Sequence, residues 1–201
     1  MPAPRPAVFL DKDGTIIEDV PYSVDPHRMR LTVGAAEGLR QLHQAGYRLV
    51  VVSNQSGVAR GFFAESALVA VRDRLGAMLA DLGAPLDGFY CCPHHPSGVV
   101  PGYAIACDCR KPQPGLVQAA CRDLGIDLAR SWLIGDKLDD VEAGRRAGCR
   151  TVLIGSEDPA SARNEPDNPP PPWRRPDHRA SNLNEAARLI LEADRLPTIS
   201  P

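Results

Sequence analysis

No apolar run in the 201-residue sequence approaches the about 18 residues that a membrane-spanning helix needs. The N-terminus holds only Ala7–Leu10 as an apolar stretch before acids intervene, so the pattern of a secretory signal is missing. There is no run of Lys and Arg, and the formal net charge is −2, so the electrostatic footprint of a nucleic-acid binder is absent. Internal repeats are missing as well. What remains is an ordinary globular balance of 43% hydrophobic and 24% charged residues, at a length that suits one well-buried domain over residues 1–201. The expected location is the cytoplasm, with no membrane or nucleic-acid partner and no demand for more than a monomer. In that reducing compartment the six cysteines point to metal ligation or free thiols rather than disulfides.

Short apolar runs alternate with helical stretches. Ala7–Leu10, Arg48–Val52, Gly88–Tyr90, Trp132–Ile134 and Thr151–Ile154 read as buried strands. Between them, Leu39 and Leu42 mark a helix closed by Gly46, and Leu68, Val71, Leu75, Leu79 and Leu82 keep helical spacing up to Gly83. Pro114–Gly125, Asp139–Gly148 and a C-terminal segment over 182–195 are the other helices. This alternation predicts a parallel sheet with helices on both faces. Two stretches break the pattern: the Cys-, His- and Pro-rich loop 91–112, and Glu157–His178, whose seven prolines predict an extended surface segment.

In an open α/β sheet, ligands bind beyond the carboxyl ends of the strands. Three predicted strands end in unusual chemistry: Asp11-Lys12-Asp13-Gly14-Thr15, Ser53-Asn54, and Gly135-Asp136-Lys137. Arg110-Lys111-Pro112 closes the Cys-rich loop. Asp11 and Asp13, two residues apart on an extended chain, share a face and repel each other unless a cation intervenes. With Asp136 they offer hard oxygen ligands suited to Mg²⁺. Gly14 lets the chain turn where another residue is strained. Asp140 suits either the first turn of a helix or the orientation of Lys137 or of a water on the metal.

Cys92-x-His94, twelve intervening residues, then Cys107-x-Cys109 place three thiolates and one imidazole in one loop, a donor set for structural Zn²⁺. Spacing alone leaves Cys91 and His95 open as substitutes. Cys121 and Cys149 fall on helix faces as core thiols.

The motifs Asp11-x-Asp13-Gly14-Thr15, Ser53-Asn54, Lys111-Pro112 and Gly135-Asp136-x-x-x-Asp140 resemble the four motifs of the haloacid dehalogenase-like phosphatases. The resemblance covers Val8 to about Ile154. It implies a Rossmann-like three-layer α/β sandwich without a large cap domain, and phosphoryl transfer through an aspartyl-phosphate. Asp11 is then the nucleophile and Asp13 the acid and base, with Ser53 and Lys111 holding the phosphoryl oxygens. Mg²⁺ is implied on the Asp11 carboxylate, the Asp13 backbone carbonyl and Asp136. Ser53 stands where Thr is also common; both offer a hydroxyl.

Cys-Pro-His-His-Pro followed by Cys-Asp-Cys-Arg-Lys-Pro resembles the zinc loop of a smaller branch, which holds heptose-bisphosphate and histidinol-phosphate phosphatases. That likeness implies Cys92, His94, Cys107 and Cys109 as the zinc ligands. Asn54-Gln55-Ser56-Gly57-Val58-Ala59-Arg60-Gly61-x-Phe63 is closer to the heptose side. The implied substrate is a small sugar bisphosphate, heptose 1,7-bisphosphate losing its 7-phosphate; histidinol phosphate is the alternative. Asp19, Val20, Pro21, Tyr22, Asn54, Gln55, Ser56, Arg60, Arg110 and Lys137 are the implied substrate contacts. A second phosphate dianion needs cations, and Arg60 and Arg110 suit bidentate contacts to it.

Overall fold

The computed structural model describes residues 4–155 and 171–195. Most of the proline-rich stretch, 157–170, lies outside the described residues. Six parallel strands form one sheet in the order β3-β2-β1-β4-β5-β6: β1 Ala7–Leu10, β2 Arg48–Asn54, β3 Gly88–Cys92, β4 Trp132–Gly135, β5 Arg150–Ile154 and β6 His178–Ala180. Five of these were expected. The sixth is three residues long, at the end of the proline-rich stretch, and carries too little apolar sequence to announce itself.

Alternation along β1 builds the two cores. Val8 and Leu10 face one side, where they join Leu39, Leu42, Val71, Leu75, Leu79, Ala186 and Ile190. Ala7 and Phe9 face the other, against Leu116, Val117, Ala120 and Ala143. The first face is covered by α1 (Ala35–Gln44), α2 (Ala67–Asp81) and α5 (Leu183–Arg195), the second by α3 (Gly115–Leu124) and α4 (Leu138–Ala147). The result is the expected three-layer α/β sandwich. A strand buried on both faces reads as a continuous apolar run, and β1 does so. Full burial of Phe9 is worth about 1.5–3 kcal/mol. Gly46, Gly83 and Gly125 sit at the predicted helix ends with positive φ.

β1 lies at the centre, with β2 on one side and β4 on the other, so the sheet's order reverses at this strand. Crevices open at such a reversal, beyond the strands' carboxyl ends. Between Asp11 and Ser53 the chain adds one short 3₁₀ turn and α1, with no cap domain. No helix among the described residues is long and apolar enough to cross a membrane.

Candidate active site

The carboxyl ends of β1, β2 and β4 meet at one cleft of about 300 Å³. The Asp11 backbone N–H donates to the Ile134 carbonyl at 2.9 Å, which locks the end of β1 to β4. Asp11 is 6% exposed and Lys111 is 3% exposed. Lys111 Nζ has three protons to give and three acceptors: Asp11 Oδ1 and Asp140 Oδ1, each at 2.6 Å, and the Val52 carbonyl at 2.8 Å. Burial alone would lower its pKa, but Asp11 and Asp140 outweigh burial and raise it, so the ammonium stays charged.

Asn54 fixes the backbone of Lys111. Its side-chain oxygen accepts from the Lys111 N–H, and its side-chain nitrogen donates to the Lys111 carbonyl, both at 3.0 Å. Gln55 links two more predicted groups, donating to Ser53 Oγ at 2.8 Å and to Asp13 Oδ2 at 3.1 Å. The other Asp13 oxygen takes a 2.5 Å bond from Lys12, which is itself buried. Motif spacing does not single out Lys12, whose one signal in the sequence is a lysine between two aspartates.

Asp140 serves the first turn of α4 and also pairs with Lys111, a partner its position in sequence did not indicate. One oxygen accepts from the Lys137 N–H at 3.0 Å, capping the start of α4, and the other pairs with Lys111. Its carboxyl packs on Gly135, where a Cβ would lie 2.3 Å from Asp140 Cγ. Burial, opposed by Lys111 and reinforced by Asp11, raises its pKa to about 6.

Carboxylate oxygens of Asp11, Asp136 and Asp140 lie within 4.8 Å of one another. Asp136 Oδ1 is buried with no hydrogen-bond partner. Burial raises this group to about 7, with Lys137 opposing and with Asp11 and Asp140 adding repulsion. An orphaned oxygen in a cluster of hard ligands fits a divalent cation. Gly14 makes room for it: its φ is +81°, and a Cβ there would lie 2.5 Å from Asp136 Oδ2.

The cleft is lined by Asp11, Asp13, Asp19, Val20, Pro21, Tyr22, Ser53, Asn54, Gln55, Ser56, Arg110, Lys111 and Lys137 from the sequence-based set. Ser23, Gly57, Asp139 and Asp140 line it as well. Arg60 is not among them: one of its guanidinium nitrogens lies 3.1 Å from His95 Nε2.

The four soft donors also converge. Cys92, Cys107 and Cys109 Sγ atoms stand 3.1–3.5 Å apart, and His94 Nδ1 lies 3.7 Å from Cys92 and 3.4 Å from Cys109. A zinc tetrahedron with bonds of about 2.3 Å has edges of about 3.8 Å, so the set fits that ion with slight expansion. His95 turns away to Arg60 and to the Ser97 N–H, and Cys91 stands outside the cluster. The cysteines form no disulfide.

A family model described as HAD-hydrolase-like matches residues 108–186. The chain is 41% identical over 161 residues to a D-glycero-beta-D-manno-heptose-1,7-bisphosphate 7-phosphatase of Yersinia pestis, covering 80% of this chain and 86% of that protein. The chain belongs to the haloacid dehalogenase-like phosphatases. The Escherichia coli K12 protein of the same name as the Yersinia one is 43% identical over 149 residues, or 74% of this chain and 78% of that one. Among solved structures, a D,D-heptose 1,7-bisphosphate phosphatase from B. bronchiseptica, complexed with magnesium and phosphate, aligns with TM-score 0.76 and 30% identity, covering 94% of this chain and 99% of that one. As a member of this family the protein is an enzyme, a phosphoric monoester hydrolase.

Proposed function

We propose that this haloacid dehalogenase-like phosphatase removes the 7-phosphate from D-glycero-D-manno-heptose 1,7-bisphosphate and releases heptose 1-phosphate. The setting is the cytoplasmic supply of nucleotide-activated heptose for lipopolysaccharide or another surface polysaccharide, with residues 1–201 acting as one monomeric domain. The names of the relatives support the substrate. The observation that carries the chemistry is the Asp11–Lys111 pair at the floor of a cleft walled by Asp13, Ser53, Arg110 and Lys137.

In this reading an Asp11 carboxylate oxygen attacks phosphorus as the P–O bond to the sugar C7 oxygen breaks. Asp13, oriented by Lys12 and Gln55, donates a proton to that leaving oxygen. Asp13 then takes a proton from a water, whose oxygen attacks phosphorus and releases Asp11 and phosphate. Ser53 and Lys111 donate to the phosphoryl oxygens and stabilise charge as it develops. The Asp11 and Asp136 carboxylates and the Asp13 carbonyl would hold Mg²⁺, whose positive charge would let an anion approach a dianion. Cys92, His94, Cys107 and Cys109 would hold Zn²⁺, which would fix the loop that delivers Arg110 and Lys111.

The test is phosphate release with Mg²⁺, comparing kcat/KM for both anomers of the heptose bisphosphate with histidinol phosphate. A preference for the bisphosphate of about a hundredfold supports the reading. The reverse preference moves the chain to histidinol phosphate, with the same nucleophile.

A further inference from the structure

The last described part of the proline-rich stretch touches Asp139, a residue of the cleft wall. A short 3₁₀ turn, Pro172–Arg174, packs on α4. Two ties on its C-terminal side hold it there. Arg145 Nε donates to the Arg175 carbonyl at 2.6 Å, and an Arg145 terminal nitrogen pairs with Asp177 Oδ1 at 2.7 Å. The second Asp177 oxygen in turn accepts from the backbone N–H and hydroxyl of Thr151 on β5, at 2.8 and 3.0 Å. From this brace the Arg174 side chain extends along α4. One terminal nitrogen meets Asp139 Oδ1 at 2.5 Å, and Nε stands 3.2 Å from Glu142 Oε2. Glu142 already has a cation of its own, Arg146, at 2.5 Å.

Asp139 lines the cleft, and among the described residues Arg174 is its only salt-bridge partner. The charge of the cleft makes that pairing matter. Among the described residues five carboxylates line it (Asp11, Asp13, Asp19, Asp139 and Asp140) against three cations (Arg110, Lys111 and Lys137), before the charge of a bound Mg²⁺ is counted. Lys111 is already committed to Asp11 and Asp140 at the floor. A second phosphate, held away from the reacting one, therefore meets a rim where every carboxylate left unpaired repels it.

We propose that Arg174 is a specificity-determining residue: by holding Asp139 paired at the cleft rim, it allows the site to accept a substrate that carries a second phosphate. The role rests on the bisphosphate reading given above. It also gives the end of the proline-rich stretch a task, since the chain after it returns to the sheet only through the Asp177 anchor and β6.

The test uses p-nitrophenyl phosphate, which carries one phosphate, as the turnover substrate with Mg²⁺. Heptose 1,7-bisphosphate is the competing ligand, at ionic strengths of about 0.05 and 0.5 M. For R174Q, the inhibition constant of the bisphosphate is expected to rise about fivefold at low salt and to converge on wild type at high salt, while p-nitrophenyl phosphate kinetics hold. R174K keeps the charge and stays close to wild type. D139N tightens bisphosphate binding, and R174Q/D139N returns to near the wild-type constant, because the Asp139 charge that Arg174 offsets is removed together with Arg174. Should R174Q refold poorly, D139N alone decides: unchanged or weaker bisphosphate binding overturns the proposal. Equal losses on both substrates, with no rescue by D139N, also overturn it, leaving Arg174 a mere brace. A wild type that binds the bisphosphate no better than a monophosphate sinks the substrate reading, and this role with it. A wild type that prefers the bisphosphate while R174Q binds it as tightly sinks the role alone.

Discussion

Asn54 and Lys111 clasp each other through two reciprocal 3.0 Å hydrogen bonds, side-chain amide to backbone amide. The pair joins the end of β2 to the end of the cysteine loop across 57 residues of sequence. Asn54 lines the cleft, yet both ends of its amide face the protein, so its first task is to place Lys111. Asn54→Ala should therefore lower kcat more than it raises KM, with a stability loss of about 1–3 kcal/mol from the Lys111 groups left unpaired. Kinetics at saturating substrate and a urea titration read the two effects. A rise in KM alone would return Asn54 to the role of a substrate contact.

Gly14→Ala tests the Asp136 side of the floor. A positive φ of 81° costs an L-residue about 1–2 kcal/mol, and the new Cβ would stand 2.5 Å from Asp136 Oδ2. The carboxylate must shift, so the Mg²⁺ concentration for half-maximal activity should rise at least about tenfold, with partial recovery at high Mg²⁺. An unchanged Mg²⁺ titration with lowered stability would mean that the glycine serves the turn alone.

The cysteine cluster predicts one equivalent of zinc in purified protein. Burial pushes the Cys92 thiol up, and burial likewise raises Cys109. For Cys107 burial acts upward too, but bonds with Cys109 and Cys92 prevail and lower it. A metal that replaces these protons holds the three thiols deprotonated together. Chelation, or Cys107→Ala, should lower the Tm by several degrees and abolish turnover, since Lys111 stands two residues after Cys109. Metal analysis that finds no zinc, with full activity, would sink this expectation.

Tyr47 supplies a pH dependence remote from the cleft. Burial raises its hydroxyl above the ordinary value of 10.0, and its hydrogen bond to Asp194 on α5 reinforces the shift. The unfolded chain thus loses this proton first as pH rises past 10, the native state binds more protons, and stability falls with pH. Below pH 10 the contribution is complete. Tyr47→Phe should flatten the alkaline slope of unfolding free energy by up to about 1.4 kcal/mol per pH unit. Parallel slopes for the two proteins would refute it.

Much of this arrangement was legible in the sequence because burial on both faces leaves an unmistakable mark. Ala7–Leu10 reads as a strand since no polar residue is tolerated there, and Gly46 and Gly83 mark helix ends by their φ. Asp11, Ser53 and Asp136 stand out because chemistry at strand ends is rarely accidental, and Lys111 because it closes the Cys-rich loop. Other features left no local signal. β6 is three residues long and takes its place from pairing with β5. The burial of Lys12, the Gln55 bridge and the reach of Arg174 to Asp139 depend on which distant segments pack together, and neither periodicity nor spacing records that. Arg60 shows the converse: its motif suggests phosphate, while its side chain lies against His95.

The three bonds from Lys111 Nζ have a kinetic meaning. They gather Asp11 from β1, the Val52 carbonyl from β2 and Asp140 from α4, across separations of up to 100 residues. Contacts so far apart in sequence form late in folding, after the entropy of closing long loops has been spent. A chain with its helices made but its sheet incompletely paired has no assembled nucleophile. Recovered turnover after denaturation is thus a clock for the final docking of the sheet's two halves, and it should lag the return of helical signal.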